Sequence, residues 1–163
     1  MRTFHASHWI FGLCAALALA ADLATKHFAF TCLVKGRDYP VLGPVLGWHR
    51  TEVNTGGVFG VGRGWGFVFV GLTVIALGVV GWMVWKARAD RPLFRLALGL
   101  ITGGALGNLA DRVTIGGVRD FIKLYGWPWA FNVADTCICI AAGLLILEIV
   151  REGKREQAEG RAK

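Results

Sequence analysis

From Gly64 to Trp85 the chain runs for 22 residues without a charged side chain. A helix needs about 20 mostly apolar residues to cross a bilayer, and with 55% apolar residues in 163 the chain is too hydrophobic for an ordinary soluble domain of its size. Three further runs follow the same rule. Leu96 to Ala110 is uncharged over 15 residues, and Leu93 and Phe94 extend it if Arg95 snorkels toward the headgroups. Leu124 to Leu147 contains Asp135 alone among acidic and basic groups, long enough to cross if that acid faces protein rather than lipid. Trp9 to Ala21 ends in Ala18-Leu19-Ala20, the pattern of a signal-peptide core and its cleavage site. The run continues to Phe30, however, and Asp22 and Lys26 stand i,i+4 on one helix face, where a bundle interior tolerates them as a pair. Residues 9–30 are therefore read as an uncleaved span. The expected fold class is all-α integral membrane, with four transmembrane helices over about 9–30, 64–85, 93–110 and 127–148 in a single membrane domain, 1–163.

Charge position sets the expected orientation. Lys and Arg outnumber Asp and Glu by 18 to 11, a net charge of +7. Such an excess serves nucleic-acid binding or the basic cytoplasmic loops of a membrane protein, and the apolar content favours the second. Lys86, Arg88, Arg91 and Arg95 crowd the connection between spans two and three, and Arg151, Lys154, Arg155, Arg161 and Lys163 follow span four. Both belong in the cytoplasm, with the tail 151–163, so both termini are expected inside and residues 31–63 and 111–126 outside. The stretch Tyr39 to Trp48, rich in Gly, Pro and β-branched residues, suits strands and turns, hence a small periplasmic β element. Trp65, Trp82, Trp85, Trp127 and Trp129 sit near span ends, as interfacial anchors do.

Polar groups at membrane depth are costly, so their clustering is informative. Asp22 and Lys26, Asn54, the group Asn108, Asp111 and Arg112, then Asp120, and finally Asn132 and Asp135 all lie toward the outer face. Asn108 shares a helix side with Asp111 and Arg112, and Asn132 with Asp135, by i,i+3 and i,i+4 spacing. Two carboxylates brought together away from water share one proton across a range of pH. The ionised member takes a proton from water while the protonated one polarises a scissile carbonyl, without metal or nucleophilic side chain. The four cysteines (Cys14, Cys32, Cys137, Cys139) and four histidines (His5, His8, His27, His49) show no metal-ligand spacing, so no metal and no cofactor are expected.

At this point the residues resemble a family. Asp22-Leu23-Ala24-Thr25-Lys26, Asn54-Thr55-Gly56-Gly57-Val58-Phe59-Gly60, Gly103-Gly104-Ala105-Leu106-Gly107-Asn108-Leu109-Ala110-Asp111-Arg112, Val118-Arg119-Asp120-Phe121 and Phe131-Asn132-Val133-Ala134-Asp135-Thr136 are similar, in order, to five motifs of the bacterial lipoprotein signal peptidases, or signal peptidase II. The resemblance implies an aspartyl endopeptidase of the cell inner membrane that removes the signal peptide from prolipoproteins bearing diacylglyceryl-Cys, cutting just before that cysteine. It implies Asp120 and Asp135 as the catalytic pair. Asn54, Asn108, Arg112 and Asn132 would bind substrate or hold the dyad, with Asp22, Lys26 and Asp111 around them. Asp111 stands as the rival carboxylate, with its neighbour Arg112 as a candidate ion-pair partner. Prolipoproteins and membrane lipids are the expected partners, nucleic acid is not, and a monomer is expected.

The physical reading alone reaches an outward-facing carboxylate dyad, which also suits proton-coupled transport. A transporter asks for inverted repeats or helices broken in both halves, and no such repeat is visible. Gly99, Gly103 and Gly107, four apart, are expected to let helices approach closely. Asn54 has a turn-forming alternative with Gly56 and Gly57.

Overall fold

The computed structural model describes residues 8–57, 62, 64–87 and 91–161. Each apolar run is a helix: α1 His8–Cys32, α2 Gly66–Lys86, α3 Pro92–Ile115 and α4 Val133–Arg161. All four contain a stretch long and apolar enough to cross a membrane, so the all-α class with four spanning helices is the observed one. Val58, Phe59, Gly60, Arg88, Lys163 and His5 lie outside the described residues.

The helices divide by what they face. In α2 Val80 is the buried residue and Phe67 is 94% exposed, so this helix is apolar on every side and takes lipid as its solvent. In α3 the buried set includes Gly99, Gly103, Gly104, Gly107, Asn108 and Asp111. This helix lies between α1 and α4 and packs less extensively on α2. Its glycines permit that position. A Cβ on Gly103 would come 2.5 Å from the Ala15 carbonyl oxygen of α1, one on Gly99 2.7 Å from that of Phe11, and one on Gly104 2.6 Å from that of Ala134 in α4. Bare backbone on two sides of α3 thus lets both neighbours come close enough for short polar side chains to reach across. Pro92 starts α3 at a position where its missing N–H costs nothing, and Gly116 (φ 73°) ends it in the left-handed conformation.

At the end where α1 and α3 finish and α2 and α4 begin, the two longer connections pool their strands. β1 Asp38–Leu42, β2 Leu46–His49, β3 Ile122–Leu124 and β4 Ala130–Phe131 form one antiparallel sheet in that order. This is the small β element expected from the Gly- and Pro-rich stretch, with a second half from the later connection. Asp38 on β1 ties three strands, with His49 Nδ1 from β2 at 2.5 Å and Lys123 Nζ from β3 at 3.2 Å. These donors hold its carboxyl below the usual carboxylate range. Beneath the sheet, Ala29 and Leu33 of α1 and Phe121 form a buried core, with Phe30, Tyr39, Trp48, Ile122 and Val133 against it.

One expected boundary moves. Residues 127–132, read from hydropathy as the start of the fourth span, pass through a bend at Pro128 into β4 instead, and the helix begins at Val133. Gly126 (φ 89°) and Pro128 break the run, and the Phe131 carbonyl accepts the Phe121 N–H at 3.0 Å, so the backbone is satisfied in the sheet rather than in a helix.

Candidate active site

Asn132 stands immediately before α4 and organises its start. Its Oδ1 accepts the Asp135 N–H at 3.0 Å, while its own N–H donates to Asp135 Oδ2 at 3.3 Å. This reciprocal capping satisfies donors that a helix start leaves open and turns the Asp135 carboxyl back toward the sheet end. Asp120 reaches the same place from the segment between α3 and β3. Its carbonyl accepts Thr51 Oγ1 at 2.8 Å, and two residues earlier Val118 pairs with Asn54 through reciprocal backbone hydrogen bonds of 2.8 Å. That pairing needs Gly117, because a Cβ there would lie 2.8 Å from the Asn54 carbonyl oxygen.

Three asparagine amides surround the two carboxylates. Asn54 Nδ2 donates to Asp120 Oδ2 at 3.1 Å and Asn132 Nδ2 to Asp120 Oδ1 at 2.8 Å. Asn108 Nδ2 donates to Asp135 Oδ1 at 2.8 Å. Asn132 therefore touches both acids. Asp120 is 5% exposed, and burial together with the nearby Asp135 carboxyl pushes its pKa up to about 6. Desolvation is the larger cause, since the two amide donors act in the opposite direction.

Deeper in the bundle the polar groups carry charge on both sides. Lys26, fully buried, places Nζ 2.7 Å from Asp22 Oδ2 and 3.3 Å from Asp111 Oδ2. Arg119 completes the group: its Nη2 lies 2.6 Å from Asp111 Oδ1 and its N–H donates to Asp111 Oδ2 at 3.0 Å. Asp22 also accepts the Ala134 N–H at 2.9 Å, so α1 caps the first turn of α4. Gly107 makes room for this carboxylate, which a Cβ at that position would strike.

The expected pairing of Asp111 with Arg112 is not the observed one. Neighbouring residues on a helix point about 100° apart, so Asp111 faces α1 while Arg112 faces α2. The Arg112 guanidinium lies 5.4 Å from the centre of the Phe69 ring, and the carboxylates acting on it most strongly are Asp135 and then Asp120. Asn54 fulfils both of its readings: its Oδ1 accepts the Gly56 N–H at 3.0 Å in a turn while its Nδ2 reaches Asp120. Among the described residues no group of three or more His, Cys, Asp or Glu is arranged to hold a metal ion.

Residues 14–151 match the family model described as signal peptidase (SPase) II. The chain belongs to the signal peptidase II family. Lipoprotein signal peptidases with similar sequences come from Shouchella clausii (strain KSM-K16), 34% identical over 147 residues, covering 90% of this chain and 97% of the relative; and from Syntrophotalea carbinolica, 37% identical over 153 residues, covering 90% and 94%. That of Caulobacter vibrioides is 39% identical over 150 residues, covering 86% of each. A solved bacterial membrane enzyme, determined by the in meso method at 2.3 Å, superposes with a TM-score of 0.82 at 28% identity, covering 89% of this chain and 90% of its own.

As a signal peptidase II the chain is a membrane-spanning protease. The structure brings Asp22, Lys26, Asn54, Asn108, Asp111, Asp120, Asn132 and Asp135 into one connected network. Two supports escaped the reading of spacing and burial. Arg119 lies inside a quoted motif but was given no role, and its eight-residue separation from Asp111 spans a helix end that no periodicity describes. Thr51, which fixes the Asp120 backbone, carries no linear signal at all.

Proposed function

We propose that the chain is an aspartyl endopeptidase that removes the signal peptide from prolipoproteins whose cysteine carries diacylglyceryl, cutting just before that cysteine. The observation that carries this reading is Asn132 bonded to both Asp120 and Asp135, which brings two acids from different elements together with amide donors around them. Asp120, with its pKa near 6, holds the shared proton. Asp135 takes a proton from water, whose oxygen attacks the carbonyl carbon of the residue before the cysteine, while the Asp120 proton supports the developing oxyanion. Collapse of the tetrahedral intermediate breaks the C–N bond, and a proton passes to the cysteine nitrogen. Arg112, at the edge of the dyad, holds the substrate backbone, and Asn54 holds Asp120. The site sits at the sheet end of the helices, within reach of a peptide whose lipid chains remain in the bilayer.

In the proposed setting the protein lies in the bacterial inner membrane as a monomer, with both termini cytoplasmic and the site toward the periplasm. The basic residues at the α2–α3 connection and along the C-terminal part of α4 support this orientation. The test is incubation of the purified protein with a diacylated prolipoprotein and with its unlipidated precursor, followed by gel shift and mass determination of the product. Cleavage of the diacylated form before its cysteine is expected. An intact diacylated substrate, or equal cleavage by Asp135→Asn, would remove the reading.

A further inference from the structure

Each of the three asparagines at the dyad has its oxygen held by a group that can only donate. Asn54 Oδ1 accepts the backbone N–H of Gly56 at 3.0 Å, Asn132 Oδ1 accepts the backbone N–H of Asp135 at 3.0 Å, and Asn108 Oδ1 accepts Lys26 Nζ at 2.9 Å. A backbone N–H and an ammonium offer no lone pair, so an amide turned the other way would set N–H against N–H. The orientation of all three amides therefore follows from their partners. In each case it is the NH2 that faces a carboxylate.

From this geometry we infer that Lys26 is a positioning residue of the peptidase, acting through the Asn108 amide to keep a donor on Asp135, a contact that favours a carboxylate over a carboxylic acid. The inference rests on the reading of Asp120 and Asp135 as the reacting pair and adds what holds the Asn108 donor on Asp135. Two of the locks are backbone groups that no side-chain substitution removes. The third is a side chain, with a weaker second hold on Asn108 Oδ1 from Asn132 Nδ2 at 3.2 Å. Lys26 is kept in place by Asp22 and Asp111, neither of which bonds to the dyad carboxylates. An ammonium three bonded steps from the reacting water thus decides the polarity of an amide that touches the base.

Lys26 also acts through space as a charge, and the test must separate the two routes. The charged groups around Asp135 are Arg112 and Asp111 from α3, Asp120 from the segment before β3, and Asp22 and Lys26 from α1. Replacing Lys26 by Met together with Asp22→Asn removes one charge of each sign and leaves an acceptor for the Ala134 N–H. Protonation of Asp135 is followed without turnover by infrared titration of the carboxyl C=O band that Asp135→Asn deletes. The expected result is that the paired variant moves this titration to higher pH by about one unit, a tenfold change in proton affinity, and that the same pair introduced into Asn108→Ala moves it by less than half as much.

Equal shifts in the two backgrounds would mean that Lys26 acts by charge alone and would overturn the inference, as would no shift in either. Should the paired variant fail to accumulate in the membrane, Lys26→Gln carries the test. Its carboxamide is close in length and can satisfy Asn108 in either orientation, so a smaller upward shift is expected, and an unmoved titration overturns the inference. Failure of the underlying reading looks different: Asp135→Asn would then cleave substrate at the wild-type rate, whatever the infrared titration gives.

Discussion

Four buried or half-buried carboxylates lie within one connected network, and they fall into two pairs by the company they keep. Asp22 and Asp111 meet cations, Lys26 between them and Arg119 beyond. Among the described residues, the hydrogen-bond partners of the Asp120 and Asp135 carboxyls are amides. A cation at hydrogen-bond distance brings a full opposite charge that ties a carboxylate into an ion pair, whereas amide donors bring hydrogen bonds without one. On the proposed assignment the same residue type supplies both scaffold and chemistry within one network, and sequence spacing alone does not say which acid has which task.

The sharpest way to break this division is to neutralise one acid at a time. Asp120→Asn and Asp135→Asn keep side-chain size but cannot exchange a proton with water, so prolipoprotein turnover per inserted molecule should fall by about 1,000-fold or more, with the amount in the membrane unchanged. Wild-type-like turnover by Asp120→Asn would dissolve the proposed dyad. Asp111→Asn should do the reverse. It leaves Arg119 and part of the Lys26 charge without an acid, costing up to about 3 kcal/mol of stability, seen as a lower melting temperature and less inserted protein. Turnover per surviving molecule should stay within about tenfold of wild type, since the loss touches no proton-transfer group. A well-inserted but inactive Asp111→Asn would move Asp111 into the reacting pair.

A finer test uses pH. Asp120 must keep its proton for the proposed reaction, so kcat/KM should decline as pH rises through its pKa of about 6. The Asn54 amide favours the ionised form of Asp120, and removing it in Asn54→Ala lets the proton stay to higher pH. The alkaline limb should therefore move upward, by less than about one unit; an unmoved or lowered limb would contradict the assignment of Asp120 as the acid. The smallest effect concerns metal. A chelator should leave cleavage unchanged, and loss of activity restored by one particular divalent ion would reject an amide-bound dyad as the whole catalytic apparatus.

Much of this was legible in the chain because membrane physics makes exceptions conspicuous. An uncharged run such as Gly64 to Trp85 has few alternatives to a spanning helix, and Asp135 within an apolar segment had to face protein. The Asp22 and Lys26 pairing followed from one turn of helix, and the close approach at Gly99 and Gly103 from their four-residue repeat. What escaped depended on the chain folding back. Asp111 was offered its neighbour Arg112, but its partners come from α1 and from beyond the end of α3. The fourth helix starts at Val133 because Phe131 finds a strand partner, a fact that hydropathy does not record.

The capping of α4 by groups from elsewhere has a consequence for biosynthesis. Asp22 waits on α1 for the Ala134 N–H, and Asn108 waits on α3 for Asp135, yet both targets arrive with α4, synthesised after α1, α2 and α3. Until that helix enters the bilayer the proposed catalytic acids stand apart. On the proposed assignment a nascent chain halted before Val133 lacks one acid of the dyad, so hydrolysis would have to wait for α4.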